Sequence, residues 1–425
     1  MLVFGLGLNQ GGVGTAKFFA AQGAKVRVTD LKSKSLLKPS LDALRKFPDI
    51  EYTLGEHKYE DIDWAELIIK NPAVKPNNQY IEYAFKKHRT VEMDMGIFLQ
   101  FVKPSQIIGI TGTKGKSTTS SLVYEILKKG NNILLAGNIG KSVLDIIPEI
   151  KPDSLIVLEI SSFQLESFDQ HKVSPKWAII TNITPDHLNY HSSFDEYINT
   201  KKLIGKYQKE SDFLFIRKND PVLDSADFLK GLKARIVRFS KNDLPKKFKP
   251  SLLGNHNLEN MAAALAVVQT METPKKTSLV AMQNFKGIPF RMELIKVWHG
   301  VKIVNDTTAT SPESGMQAVK TFPGCLLICG GMNKGMDYTD YAKTIKKFTK
   351  KIFFLEGDST DEIKKRFPIG KTYNDLEKLL RDVKREIKPG DVILFSPAAT
   401  SFNLFQNEFD RGRKFNQAVE KIFVE

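Results

Sequence analysis

The sequence lacks any apolar run that approaches the roughly 20 residues of a membrane-spanning helix. Its first residues have neither the basic start nor the cleavage site of a signal peptide, and we expect them to form a strand. Cysteine is scarce, since only Cys325 and Cys329 occur. On one strand these two Cα atoms would lie about 13 Å apart, too far for a disulfide. We therefore expect buried free thiols and a cytoplasmic location.

Signatures of nucleic-acid recognition are also lacking, although the formal net charge is +15. The sequence contains no zinc finger and no RNA-recognition motif. Much of the positive excess lies in short runs at residues 245–249 and 346–351, which are typical of solvated faces. We expect no nucleic-acid partner. The alternative, a nucleic-acid-dependent ATPase, predicts ATP turnover that DNA or RNA stimulates and that falls steeply with salt.

A phosphate-binding pattern is present at residues 109–118, which read Gly-Ile-Thr-Gly-Thr-Lys-Gly-Lys-Ser-Thr. A β-branched run precedes the pattern and a helical pattern follows from Ser117, so the context is strand, loop and helix. The glycines let backbone N–H groups approach an anion, the lysine neutralises it, and the hydroxyl can bind Mg²⁺. A strict P-loop has glycine where this chain has Ile110, and an incidental glycine-rich turn is the alternative. We predict a nucleotide triphosphate site.

Length and pattern predict an α/β fold in three domains. We place a Rossmann-like domain at residues 1–91, a central P-loop ATPase domain at 92–288, and a C-terminal α/β domain at 289–425. The glycines at positions 5, 7, 11, 12 and 14 predict a turn that could seat a diphosphate, but Gln10 interrupts the dinucleotide fingerprint. Strands are predicted at residues 2–6, 24–29, 67–69, 107–110, 133–135, 155–160, 177–181, 301–305, 326–329, 352–355 and 392–395, and helices at 15–22, 117–129, 194–207 and 258–271.

Polar side chains follow several of the predicted strands. Glu159 ends an apolar run, where a carboxylate could hold Mg²⁺, and Asp186 and His187 follow the next strand. Asn257 and Asn260 share one face of a helix, which suits a nucleobase or ribose. In the last block, residues 305–310, 330–335 and 396–401 each follow a strand, which predicts a ligand site at one sheet edge. The alternatives are ordinary loop residues and helix capping.

Together these segments resemble the Mur ligases, the ATP-dependent amide-forming enzymes of peptidoglycan synthesis, over essentially the whole chain. The motifs are Gly-Thr-Lys-Gly-Lys-Ser-Thr at 112–118, Gly-Asn-Ile-Gly at 137–140, Glu-Ile-Ser-Ser-Phe-Gln-Leu at 159–165, Thr-Asn-Ile-Thr-Pro-Asp-His-Leu at 181–188, His-Asn-Leu-Glu-Asn at 256–260, Asn-Asp-Thr-Thr-Ala-Thr at 305–310, Ser-Pro-Ala-Ala-Thr-Ser-Phe at 396–402 and Phe-Asp-Arg-Gly-Arg-Lys-Phe at 409–415. The Asp-Asn-Pro-Arg motif of the diaminopimelate-adding members is absent, which favours the members that add D-glutamate.

The resemblance implies a reaction and its participants. ATP would phosphorylate the carboxylate of UDP-N-acetylmuramoyl-L-alanine, and the amine of D-glutamate would attack the acyl phosphate through a tetrahedral intermediate. Two Mg²⁺ ions would assist. The first domain would bind the UDP substrate, the second ATP, and the third the amino acid. We expect a monomer with small-molecule substrates.

The resemblance also implies roles for individual residues. The catalytic set is Lys116, Glu159, His187, Lys201 and Lys334. The implied ATP-binding residues are Gly112, Thr113, Lys114, Gly115, Lys116, Ser117, Thr118, Asn257, Asn260, Arg291 and Asp306. The implied substrate-binding residues are Gly7, Asp30, Asn71, Asn138, Ser161, Thr310, Lys334, Ser401 and Phe402. The implied metal ligands are Ser117, Glu159, His187 and a carbamoylated Lys201.

Some choices stay open at this point. Lys202 and Lys206 are close enough in sequence to compete with Lys201 for the carbamoylated position. Many members have Ser-Lys-Ala-Thr where this chain has Thr-Thr-Ala-Thr at 307–310, so one cationic contact is lost. The nearest rival is a folylpolyglutamate synthase, which has a different sequence after the loop lysine and needs no UDP-binding domain.

Overall fold

The computed structural model describes residues 1–8, 10–187, 190–250, 252, 255–333, 336–401, 404–405 and 407–424. The chain divides into two compact units, Met1–Phe285 and Lys286–Glu425. The first unit contains two sheets and the second contains one.

The first unit begins with a five-stranded parallel sheet in the order β3-β2-β1-β4-β5, the strand order of a Rossmann-type domain. Its elements are β1 Leu2–Phe4, α1 Gln10–Ala21, β2 Arg27–Asp30, α2 Lys38–Ala43, β3 Glu51–Leu54, α3 Tyr59–Trp64, β4 Leu67–Lys70, α4 Gln79–Lys86, β5 Thr90–Glu92 and α5 Asp94–Phe98.

The second sheet of this unit has six parallel strands in the order β11-β10-β9-β6-β8-β7. Its elements are β6 Ile107–Thr111, α6 Lys116–Leu127, β7 Ile133–Gly137, β8 Leu155–Glu159, α7 Leu165–Gln170, β9 Trp177–Ile180, α8 Phe194–Lys202, β10 Phe213–Arg217, α9 Ala226–Leu229, β11 Arg235–Phe239, α10 Asn255–Gln269 and α11 Lys275–Asn284. The central position of β6, between β8 and β9, brings the loops that follow these three strands to one edge.

The second unit has a six-stranded sheet in the order β12-β13-β17-β14-β15-β16, parallel except for the β12–β13 pair. Its elements are β12 Glu293–Trp298, β13 Val301–Asn305, α12 Pro312–Thr321, β14 Cys325–Gly330, α13 Thr339–Phe348, β15 Thr349–Leu355, α14 Asp358–Arg366, β16 Thr372–Tyr373, α15 Leu376–Lys384, β17 Val392–Phe395 and α16 Glu408–Ile422. The three polar segments predicted to share an edge follow β13, β14 and β17, which are neighbours.

The prediction of a turn through Gly11, Gly12 and Gly14 is wrong, because α1 already begins at Gln10. Two of these glycines, Gly12 and Gly14, allow the helix to pack closely against other segments. A Cβ at Gly12 would collide with the Leu6 carbonyl, and one at Gly14 would collide with Ser142. Glycine is thus required where the helix touches the segment after β1 and the segment after β7.

Two other helices differ from their predicted bounds. The helix predicted at 194–207 ends at Lys202, and a 3₁₀ turn covers Leu203–Gly205. The helix predicted at 258–271 begins earlier, at Asn255. Ser193 caps α8, because its side chain accepts a hydrogen bond from the Glu196 backbone N–H.

The cysteine prediction is confirmed in its structural part, since Cys325 and Cys329 are buried free thiols on β14. Burial raises the pKa of each thiol to about 12.

The lysines of the runs at 245–249 and 346–351 are exposed, as predicted. No helix in the described ranges has both the length and the apolar character that crossing a bilayer requires.

We expect Phe395→Ala to destabilise the second unit by about 3–5 kcal/mol. Phe395 on β17 and Phe415 on α16 are both fully buried, and their rings stack with centroids 4.1 Å apart. The substitution would leave a cavity in the core between sheet and helix. Chemical denaturation measures the effect, and Ile369→Ala is the control, since that side chain is exposed and should change stability little. A loss under about 1 kcal/mol at Phe395 would contradict the packing argument.

Candidate active site

The loop between β6 and α6 has the geometry of an anion-binding turn. Gly112 has φ +139° and Gly115 has φ +86°, both in the left-handed region that favours glycine. The ammonium group of Lys116 donates to the carbonyls of Gly112 and Thr113, each at 3.0 Å, so it lies over the loop. Helix α6 begins at Lys116, directly after this loop, and the N-terminus of a helix favours an anion.

The same loop is fastened to the segment after β9. Asn182 accepts hydrogen bonds from the backbone N–H groups of Thr113 (2.8 Å) and Lys114 (3.0 Å), through its carbonyl and its side-chain oxygen respectively. The Thr181 hydroxyl and the Asn182 amide both donate to the Lys114 carbonyl. Two of the loop amides are therefore occupied by protein. The anion-binding capacity lies in the part of the loop nearest α6.

The Glu159 carboxylate ends β8 directly beside this loop. Glu159 pairs with Ile110 across the β6–β8 ladder and is buried. Its Oε1 accepts a hydrogen bond from the Asn138 side-chain amide at 2.9 Å, whereas its buried Oε2 has no hydrogen-bond partner among the described residues. A buried carboxylate oxygen without a donor is costly unless a cation or a donor meets it. The position is therefore suited to a hard cation such as Mg²⁺.

His187 lies on the segment after β9, beside Asp186. Burial lowers the pKa of His187, and the charges of Lys116 and Lys201 act in the same direction. Burial alone would raise the pKa of Asp186, but the charges of Lys114 and His187 hold it below its usual value. The Lys114 ammonium lies 3.4 Å from an Asp186 carboxylate oxygen. The ring of His187 is thus neutral at pH 7, the form that can bind a metal.

Lys201 is a buried lysine that faces the same edge. Its ammonium nitrogen donates to the Thr111 hydroxyl at 3.0 Å and lies over the Tyr197 ring. Burial lowers its pKa well below the ordinary value, and the charge of Lys116 adds to that effect. The two alternatives face elsewhere: Lys202 donates to backbone carbonyls of Lys230 and Asp227, and Lys206 pairs with Asp169.

Two further predicted groups lie around the loop. A Cβ at Gly115 would collide with the Asn260 side chain, so this amide directly abuts the loop, and Asn260 donates to Asn257 at 3.2 Å. Ser161, two residues after Glu159, is fixed by Gln164, whose side-chain oxygen accepts from both the N–H and the hydroxyl of Ser161.

The predicted substrate residues of the first sheet gather at its carboxyl edge. The Asp30 carboxylate is buried and accepts hydrogen bonds from the N–H groups of Gly7 (2.8 Å) and Lys32 (2.8 Å). The Asn71 amide donates to the Gly5 carbonyl at 3.2 Å. Asp30 and Asn71 therefore shape the turn after β1, so they fix the backbone on which a ligand would rest.

In the second unit, the segments after β13, β14 and β17 are hydrogen-bonded to one another. Asp306 is buried, and it accepts from the Ser396 hydroxyl at 2.8 Å and the Met292 N–H at 3.1 Å. Burial raises its pKa to about 7. Thr400 and Met332 exchange two backbone hydrogen bonds at 3.0 Å. The structure thus confirms that these three strand ends form one edge.

The remaining predicted residues of this unit differ in their surroundings. Thr310 is half-buried and Arg291 is exposed. Ser401 is buried, and its hydroxyl has no hydrogen-bond partner in the described part of the chain. Lys334 and Phe402 lie outside the described residues. Within the described ranges, no three His, Cys, Asp or Glu side chains are grouped as a complete metal site.

Two residues that shape these edges were not predicted. Asn182 is hydrogen-bonded to the phosphate loop. Its position just after β9, within the motif at residues 181–188, is the sequence feature that could have indicated this contact. Arg411 is fully buried on α16. The sequence feature that could have revealed Arg411 is its helical spacing from Phe415, Val419 and Ile422. This spacing places a charged residue on the apolar face of the helix.

Comparison with known families gives three matches along the chain. Residues 1–92 match the Mur ligase MurD-like N-terminal domain, residues 110–250 the Mur ligase middle domain, and residues 290–399 the Mur ligase glutamate ligase domain.

Curated relatives match over nearly the full length. The chain is 35% identical to UDP-N-acetylmuramoylalanine--D-glutamate ligase of Roseiflexus sp., covering 99% of this chain and 98% of the relative. It is 31% identical to the enzyme of the same name from Clostridioides difficile, covering 98% of each.

Solved structures share the fold at lower identity. UDP-N-acetylmuramate-alanine ligase from Thermotoga maritima aligns with a TM-score of 0.61 and 18% identity over 99% of both chains. MurF ligase from the same organism, solved in complex with ADP, aligns with a TM-score of 0.58 and 18% identity over 94% of this chain and 96% of that one.

Proposed function

This chain belongs to the Mur ligase family, and we propose that it joins D-glutamate to UDP-N-acetylmuramoyl-L-alanine with conversion of ATP to ADP and phosphate. The names of the relatives and the glutamate ligase domain support this acceptor. The observation that carries the proposal is the shared edge of β8, β6 and β9, where Glu159, the phosphate loop and His187 meet. A folylpolyglutamate synthase is disfavoured, because residues 1–92 match the N-terminal domain of a Mur ligase.

The reaction has two steps. In the first, an oxygen of the substrate carboxylate bonds to the γ-phosphorus of ATP, and ADP leaves with the electron pair of the broken P–O bond. In the second, the amine of D-glutamate attacks the acyl carbon, loses a proton, and phosphate departs from the tetrahedral intermediate. Lys116 and the N–H groups at the start of α6 would bind the β- and γ-phosphates, since fixed positive charge there stabilises the transfer.

The residues present fit Mg²⁺, because the unpaired Oε2 of Glu159 is a buried anionic oxygen beside the phosphate loop. Ser117 and Glu159 would hold one ion, and His187 with a carbamoylated Lys201 would hold a second. Each bound ion would offset negative charge on the phosphates. Two protein ligands suffice for Mg²⁺, which commonly completes its coordination with phosphate and water oxygens.

The other site residues would divide between the substrates. Gly7, Asp30 and Asn71 would seat the UDP group, and Asn138 and Ser161 would lie nearer the reacting carboxylate. Thr310, Ser401, Lys334 and Phe402 would bind the D-glutamate. Further groups would contact ATP outside the loop: Asn257, Asn260, Arg291 and Asp306. We further propose that the enzyme acts in the cytoplasm as a monomer.

The proposed function predicts phosphate release that requires both the UDP substrate and the correct acceptor. With ATP, Mg²⁺ and UDP-N-acetylmuramoyl-L-alanine, D-glutamate should give sustained release, whereas L-glutamate, lysine and no amino acid should each give less than about a tenth of that rate. Mass spectrometry of the product should show one added glutamate. Equal release with and without an acceptor would contradict the ligase function, and a preference for lysine would contradict the acceptor.

A further inference from the structure

Arg411 is the largest fully buried side chain in the described part of the protein. It lies on α16 on the same face as Phe415 and Val419, which pack into the core of the second unit. Buried arginines are rare unless a carboxylate or several hydrogen bonds compensate for the lost hydration. The surroundings of Arg411 therefore indicate what this charge does.

The guanidinium group joins two loops at the edge of the sheet. Its Nε donates to the Thr307 hydroxyl at 2.9 Å, and one Nη donates to the Thr307 carbonyl at 2.8 Å. Its other Nη donates to the Ala399 carbonyl at 3.0 Å. Thr307 follows β13 and Ala399 follows β17, and these strands are neighbours. The planar fork of arginine thus holds the two loops at a fixed spacing.

The loop after β17 needs such support. Ala398 has φ +56°, a left-handed conformation that alanine adopts only under constraint. The Tyr338 hydroxyl donates to the Ala398 carbonyl at 2.9 Å, and Arg411 holds the next carbonyl. Two residues after Ala399, the buried Ser401 hydroxyl has no hydrogen-bond partner within the described ranges. The constrained stretch therefore leads to a buried hydroxyl whose hydrogen-bonding capacity the described residues leave unused.

The charge of Arg411 is only partly compensated. No carboxylate oxygen in the described ranges lies within ion-pair distance of it, and all three acceptors are neutral oxygens. Burial lowers its pKa to about 9, while the more distant Glu408 and Asp306 oppose that shift. The group is still protonated at neutral pH. A fixed positive charge beneath the two loops favours an anionic ligand above them.

We propose that Arg411 is a positioning residue of the acceptor site: it fixes the loops that carry Thr310 and Ser401, and its charge favours binding of a dicarboxylate amino acid. The inference rests on the proposed function, because it takes the acceptor to be D-glutamate. Arg411 acts through the loops and through its field. It donates no hydrogen bond to the acceptor.

The test separates binding of the acceptor from binding of the other substrates. Arg411→Lys keeps the charge but loses the planar fork, and Arg411→Met loses both. We expect KM for D-glutamate to rise about 10-fold in Arg411→Lys and about 100-fold in Arg411→Met. KM for ATP and for the UDP substrate should stay within about twofold. Arg413→Met is the matched control, since Arg413 is an exposed arginine on the same helix, and its KM values should equal those of the wild type.

A milder variant and a rescue experiment distinguish a positioning role of Arg411 from a folding defect. Thr307→Val removes the hydroxyl that accepts from Nε and donates to the Glu408 carbonyl, and we expect a rise of about threefold in KM for D-glutamate. Added guanidinium at millimolar concentration should partly restore the KM of an Arg411→Ala enzyme. A merely structural role would lower the melting temperature and the yield of active enzyme without a selective change in this KM.

Each result bears on one of the two proposals. If the wild-type enzyme shows no turnover that depends on D-glutamate, the proposed function fails and the inference fails with it. If the wild type turns over but the Arg411 and Thr307 variants keep its KM for D-glutamate, only the inference is overturned. A rise that is equal for all three substrates would also overturn it.

Discussion

Lys116→Ala is expected to lower kcat for acceptor-dependent phosphate release by at least about 1,000-fold. Lys116 carries the only lysine ammonium group that is hydrogen-bonded to the phosphate loop's own carbonyls in the described ranges, at Gly112 and Thr113. Charge develops on the γ-phosphate oxygens and on ADP during transfer. Without the lysine, this charge would lose the ammonium group that lies over the loop. Steady-state kinetics with saturating substrates measures the loss.

The control for this variant lies at the other end of the same helix. Lys128 pairs with Glu125 at the C-terminus of α6, far along the helix from the loop, and Lys128→Ala should leave kcat unchanged. Thermal unfolding should be similar for both variants, because neither substitution removes a core side chain. A Lys116→Ala enzyme that keeps more than about a tenth of the wild-type kcat would contradict the role of this lysine.

The sequence was sufficient to predict that Glu159 would end one strand, that His187 would follow another, and that Lys116 would lie between a third strand and a helix. Parallel strands end at the same edge, so each apolar run followed by a polar residue predicts a position at that edge. The order of strands in the sheet is set by pairing between distant segments, and only the structure places β6 between β8 and β9. The catalytic roles of the three residues stay predictions.

The error at Gly11, Gly12 and Gly14 has a physical reason. Glycine serves both turns and close backbone approaches, and the two uses look alike in one sequence. A Cβ is excluded at Gly12 by atoms of Leu6 and at Gly14 by atoms of Ser142. Ser142 follows β7 and is therefore distant from α1 in sequence. A local pattern cannot contain that information, so the beginning of α1 was predicted five residues too late.

The local sequence likewise could not predict which charged side chains are buried. Lys201 was chosen through a motif, and Lys202 next to it differs little in local sequence. The structure separates them, since Lys201 is buried against Thr111 while Lys202 reaches backbone carbonyls near the surface. Arg411 was overlooked because a lysine- and arginine-rich segment indicates an exposed face on average.

Lys201→Met is expected to lower kcat by at least about 100-fold and to remove a carbamate signal from the protein. After incubation with ¹³C-labelled bicarbonate, ¹³C NMR of the wild type should show one slowly exchanging carbamate carbon. Methionine has a similar length and suits a buried position, so the variant should fold. The same experiment on Lys202→Met, the adjacent and less buried lysine, should keep both the signal and the activity.

The chemistry follows from the burial of the amine. Burial lowers the pKa of Lys201, so an unusually large fraction is neutral and carries the lone pair that attacks CO₂. The nitrogen forms a bond to carbon, one C=O electron pair moves to oxygen, and the nitrogen releases a proton to solvent. The product is an anionic oxygen donor on a lysine stem, beside the cationic Lys116 and near His187. A carbamate signal that persists in Lys201→Met, or full activity of that variant, would contradict the proposed role of a carbamoylated Lys201.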